Sequence, residues 1–176
     1  MRRFTAIAAA ALTLAPTLAS AAEPPCLSPG EFTALAEYAL PSMINGTTQR
    51  CSTTLGANAY LPREGAQLAQ RYAARRPAAW PRAKAAFLKL SPTINPQADE
   101  LIRTMPDASL QQMLDPLLAG MVSQQVPLDR CGSIDRLIGL LAPLPAQNTA
   151  ELIALAVGLG AKTGRAKLGA ISICAA

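Results

Sequence analysis

Apolar and polar positions alternate with a helical period along most of this chain. Ser28-Pro29-Gly30-Glu31 has capping-box spacing, with proline at the first helical position. Phe32, Leu35, Ala36, Ala39 and Leu40 then follow at helical period. Pro41 is expected to end or kink that helix. A second stretch, from Pro41 to about Leu55, carries Met43, Ile44 and Cys51 but is weakened by Gly46 and its threonines. A third helix is expected from about Pro62 to Arg75. A fourth follows Pro77 and Pro81, with Trp80, Ala83, Phe87 and Leu90 on one stripe. Asn95-Pro96 opens a short helix, with Asp99 and Glu100 in its first turn and Pro106 at its end.

The clearest pattern covers 107–123. Asp107 is the expected cap. Leu110, Met113, Leu114, Leu117, Leu118, Met121 and Val122 form a helical stripe, with Pro116 expected to kink or split it. Ile134, Leu137, Ile138 and Leu141 make a further stripe, stopped by Pro143 and Pro145. Asn148-Thr149-Ala150-Glu151 repeats the capping-box spacing before 152–159, and Gly158 and Gly160 end that helix. Ala170 to Cys174 could form one short strand. A lone strand makes no sheet, so the tail reads as an extended arm tied down by Cys174. The predicted fold is all-α: a single compact domain, 22–176, of seven or eight short helices with proline-rich turns. Fifteen prolines suit helices that begin at proline better than sheets or long bundles.

The first 21 residues read as a secretory signal peptide. Arg2 and Arg3 precede an apolar, alanine-rich run, Pro16 breaks it, and Ala19-Ser20-Ala21 supplies the small residues of a cleavage site. The apolar run is too short to span about 30 Å of hydrocarbon. The expected location is the periplasm, with full secretion as the alternative. Cleavage would remove two of the sixteen basic residues and no acid, so the mature chain is less basic than the whole.

Cys26, Cys51, Cys131 and Cys174 remain, and an even count in an exported chain implies two disulfides. Local closure favours Cys26–Cys51 and Cys131–Cys174, at about 3–4 kcal/mol each in the chain-entropy model. The crossed pairings stay open. There is no C-x-x-C, so no metal site or cofactor is expected.

Histidine is absent, which excludes His-dependent triads, His-ligated zinc and imidazole proton shuttles. Gly158-Leu159-Gly160-Ala161-Lys162-Thr163 departs from the phosphate-loop pattern, because Ala161 and Ala156 replace its glycines. A carboxylate-pair hydrolase of the envelope could draw on Glu31, Glu37, Glu64 or Glu151 with an aspartate partner, but no spacing selects a pair.

Charge is the most asymmetric feature. Arg63, Arg71, Arg75, Arg76, Arg82, Lys84 and Lys89 stand against Glu64 alone. Lys162, Arg165 and Lys167 form a second basic cluster. The first cluster, and within it Arg71, Arg75, Arg76, Arg82, Lys84 and Lys89, is the candidate face for an anionic envelope component or an acidic protein. The competing reading is a solvated helix face. Trp80 and Phe87 belong either to the core or to an amphipathic membrane-surface helix. Nucleic acid is not an expected partner, because an exported protein rarely meets it. The expected function is therefore a non-enzymatic helical binding domain.

Overall fold

The computed structural model describes residues 25–160, 166–168 and 171–174. The expected signal peptide, 1–21, lies outside the described residues, as do Lys162 and Arg165. Seven α-helices are described: α1 (Pro29–Cys51), α2 (Tyr60–Ala73), α3 (Arg76–Ile94), α4 (Asp99–Thr104), α5 (Asp107–Gln125), α6 (Cys131–Leu141) and α7 (Ala146–Gly160). A 3₁₀ turn at Leu128–Arg130 leads into α6. Among the described residues no helix is long and apolar enough to cross a membrane.

Helix α1 is the axis of the molecule, and α2, α3, α5 and α7 all pack against it. Its buried positions include Phe32, Ala34, Tyr38, Leu40, Ile44 and Thr47, which point to every side of the helix. A helix packed against on most sides needs no single apolar stripe. Ser28 and Glu31 form the full capping box at its start. Pro41 does not end it: the helix continues for another ten residues to Cys51. An interior proline costs about 3 kcal/mol, chiefly through a lost backbone bond. Packing against four helices outweighs that cost. The carbonyl of Tyr38, one turn before the proline, accepts a hydrogen bond from Arg76 Nε at 3.1 Å.

The continuity of α1 overturns the favoured disulfides. Cys26 and Cys51 sit at opposite ends of a helix that rises 1.5 Å per residue, so they stand about 35 Å apart. A disulfide needs Cα atoms within about 7 Å. The observed bonds are Cys26–Cys174 and Cys51–Cys131. The first joins the two ends of the described chain. The second ties the last turn of α1 to the first residue of α6.

The tail also differs from a lone arm. Ala166–Leu168 (β1) and Ile171–Ile173 (β2) pair antiparallel, and Leu27 bridges to Ile173 beside them. Leu27 N–H donates to the Ser172 carbonyl, and Cys174 N–H donates to the Leu27 carbonyl, both at 2.8 Å. Leu27 and Ile173 are buried together with Phe32, Ala86 and Leu90. A second core cluster gathers Tyr38, Trp80, Ile102, Leu110 and Leu114. A third joins Leu40, Ile44, Leu61, Leu68 and Tyr72 to alanines 142, 146 and 150.

Two expected caps are replaced. Asp107 is the first helical residue of α5 rather than its cap, and its carboxylate receives Trp80 Nε1 and Lys84 Nζ. Helix α7 begins at Ala146, so Thr149 is internal and buried, and its hydroxyl meets Tyr72 Oη at 3.0 Å. Helix α2 has no side-chain cap of its own. Asp135 of α6 reaches across and accepts from the backbone N–H groups of Tyr60 and Leu61. Arg71 of α2 returns the contact, donating to the Ala142 carbonyl just past the end of α6 at 2.5 Å. Each helix thus satisfies a terminus of the other.

Candidate functional site

The basic segment lies on α2 and α3, and its cations fall into two groups. Three are neutralised by acids from other parts of the chain. Arg76 binds Asp115 of α5 at 2.7 Å. It also donates to Ser42 Oγ at 2.6 Å and lies over the Tyr38 ring. Lys84 binds Asp107 at 2.5 Å. Lys89 binds Glu31 at 2.8 Å. These contacts join α3 to α1 and α5, so part of the segment's charge is spent in holding the helices together.

The second group keeps its charge. Arg71 contacts a carbonyl, which is not a counter-charge. Arg75 stands 3.7 Å from Glu37, beyond hydrogen-bond reach, and is 56% exposed. Arg82 is exposed and has no acidic partner among the described residues. Arg75, Ala78, Arg82, Ala85 and Lys89 are all exposed at helical spacing, so Arg75, Arg82 and Lys89 share one outward stripe of α3. Trp80 is on the opposite side, packed at 5.0 Å from Tyr38. It belongs to the core, and Phe87 packs partly buried against the same cluster.

Most of the candidate acids are also committed. Glu31 completes the α1 cap and holds Lys89; the Lys89 contact and the Ser28 N–H keep its pKa below the ordinary value. Asp107 is lowered by Lys84 and then Trp80. Asp99 is lowered by Arg103 and then Ser91, whose hydroxyl donates to it. Glu64 stands beside Arg63, and Glu151 accepts from Gln147. Glu37 is buried in α1, and its Oε1 has no hydrogen-bond partner. None of the resolved carboxylate shifts is upward, as a general acid would need.

The sequence did not point to a cleft between α1, α2 and α5, with a volume of about 420 Å³. Ser42, Arg76 and Asp115 form one end of it. The Asp115 carboxylate accepts Arg76 through one oxygen and faces Ser42 Oγ at 3.3 Å through the other. Asn45 and Gln70 stand at the rim, exposed, with no side-chain hydrogen bond among the described residues. Its walls carry only small or cyclic apolar side chains, among them Ala69, Ala73 and Ala119. The sequence signal for this site is Asp115-Pro116, one acid and one proline interrupting the apolar stripe of α5.

The cleft ends where the helices close up. A Cβ at Gly46 would lie 2.4 Å from the Ala119 carbonyl oxygen, and one at Gly65 would lie 2.7 Å from Thr48 Oγ1. At Gly46 the backbones of α1 and α5 therefore touch, and at Gly65 the Thr48 side chain lies against α2. Fold and site together define an all-α domain built round a central helix, tied by two disulfides and carrying a small mixed-polarity cleft. In comparisons with family models, with curated proteins and with solved structures, the chain matches none.

Proposed function

We propose that this chain is an exported, non-enzymatic helical binding domain that meets an anionic envelope surface through Arg82, Arg75 and Arg71. The observation that carries the reading is the division of the basic segment. Arg76, Lys84 and Lys89 hold helices together through acids, whereas Arg82 has no acid beside it among the described residues, Arg75 reaches Glu37 only at 3.7 Å, and Arg71 meets a carbonyl rather than an acid. The chemistry is that of lipid headgroups, lipopolysaccharide or wall polymers, whose phosphates and carboxylates attract guanidinium groups. Two disulfides support an oxidising compartment. With the Arg2-Arg3 and alanine-rich leader pattern, they favour the periplasm, with secretion as the alternative.

The test is co-sedimentation of the oxidised protein with anionic liposomes, lipopolysaccharide and isolated cell wall, each at low and high salt. At low salt the protein should pellet with at least one of them, and salt should release it, since exposed charges are screened within about 10 Å at 0.1 M. The Arg75→Gln/Arg82→Glu variant should bind at least about tenfold more weakly. Arg71 is left unchanged because it holds the end of α6. Binding that ignores both salt and the variant, or no binding to any of the three, overturns the reading. In the second case an acidic protein becomes the partner to seek.

A further inference from the structure

The cleft between α1, α2 and α5 is separate from the outward stripe of α3, and its chemistry differs. Arg76, the cation at its end, is already compensated by Asp115, so the cleft carries a dipole rather than a net charge. An inorganic anion would have to compete with that carboxylate. The walls offer no aromatic ring on which a base or a sugar could stack and no long aliphatic chain for a lipid tail. They offer alanines, which let a ligand's own backbone come close.

The polar groups complete the description. Asn45 on α1 and Gln70 on α2 each present one acceptor and an NH₂ donor with no partner among the described residues. Those functions match the C=O and N–H of a peptide group. Asp115 is 43% exposed, and each of its oxygens faces only one donor, so it can accept a further N–H. About 420 Å³ lies within the range of small-ligand sites and is too small for a folded partner.

We propose that this cleft binds a short, extended, uncharged peptide segment with small side chains, read through its backbone by Asn45, Gln70 and Asp115. Specificity comes from exclusion: a large side chain would meet Ala69, Ala73 or Ala119. Affinity comes from amide pairing and is therefore only weakly dependent on salt, unlike contact through Arg82.

The experiment uses the full oxidised protein and N-acetyl-trialanine amide as probe, followed by ¹⁵N–¹H NMR. Expected are saturable shifts of the Asn45 and Gln70 side-chain NH₂ signals and of the Ala69 and Ala119 amides. The affinity should be the same at low and high salt. Asn45→Ala/Gln70→Ala should weaken binding by about tenfold or more. Both positions are exposed, so unchanged spectra elsewhere report an intact fold. Ala66→Trp, at an exposed wall position, should block the probe independently. Parallel titrations with glucose and with inorganic phosphate separate the other chemistries. No shift with the peptide, shifts indifferent to both variants, or a response to glucose or phosphate in its place overturns the proposal. Because the readout excludes liposomes and salt-sensitive contact, loss of the envelope-binding reading leaves this outcome undisturbed.

Discussion

At the scale of single residues, several acids are placed to receive particular cations. Asp107, Asp99 and Glu31 all have pKa values lowered by such partners: Lys84, Arg103 and Lys89 are the largest causes respectively. A carboxylate lowered in the folded state binds its proton more weakly there than when unfolded. Its contribution is complete above the unfolded value of about 4 and is lost as pH falls through the folded value. Thermal stability should therefore fall on acidification below about pH 5. In Asp107→Asn the fall should be shallower, because the amide oxygen can still accept from Trp80 while the titrating charge is gone. Thermal melts followed by Trp80 fluorescence check this. A variant as acid-sensitive as the parent would remove Asp107 from the set.

Most of the basic segment was legible as charge but not as structure. Sequence alone places Arg76, Lys84 and Lys89 in one run. It cannot place Asp115 or Glu31 opposite them, because those partners are 39 and 58 positions away. The cleft was hidden for the same reason, since Ser42 and Asp115 are 73 residues apart. What the sequence did contain was the local Ser28–Glu31 box, whose two halves lie within one turn and form as expected.

At the scale of elements, close helix contact turns on two small residues. Gly46 faces the Ala119 backbone, which cannot move without shifting α5. Gly120, one position along on α5, has nothing within 4 Å of the place its Cβ would take. Gly46→Ala should destabilise by about 1–3 kcal/mol, through overpacking against backbone. Gly120→Ala should stabilise by about 0.5–1 kcal/mol, because it lowers the entropy of the unfolded chain without a clash. Urea unfolding of the two variants checks both signs. Equal effects would mean that α1 and α5 are not in backbone contact at Ala119.

Local punctuation was read well where it is decided locally. The starts of α1 and α5 fall at Pro29 and just after Pro106. It misled where tertiary packing decides. Pro41 is expected to end or kink its helix and Pro81 to precede one, yet each lies inside a helix. On α5 the seven-residue apolar stripe divides: Leu110 and Leu114 are buried, while Met113, Leu117 and Met121 are exposed. The pattern was wider than the face that packs, and nothing in the spacing marks the division.

At the scale of the whole molecule, the disulfides are nested: the Cys51–Cys131 loop lies inside the Cys26–Cys174 loop. Their sequence separations are 80 and 148 residues. In the chain-entropy model these would contribute about 4.5 and about 5 kcal/mol if each acted alone. Nesting lowers both contributions in the doubly bonded chain, to about 4 kcal/mol for the inner bond and about 4.5 for the outer, and leaves a difference of only about 0.5 kcal/mol. Packing then decides which bond matters more. Cys51 and Cys131 are 0% and 1% exposed, deep between α1 and α6, whereas Cys26 and Cys174 are half-buried at the edge. Replacing the inner pair by alanine leaves voids that the surrounding helices fill only in part. Cys51→Ala/Cys131→Ala should thus cost about 1–2 kcal/mol more than Cys26→Ala/Cys174→Ala. Non-reducing peptide mapping of the parent first fixes the connectivity, and urea unfolding of the two double variants gives the order. The reverse order would mean that α1 and α6 close over the missing sulfurs. The greater constraint would then lie where Leu27 and Ile173 join the first and last described segments.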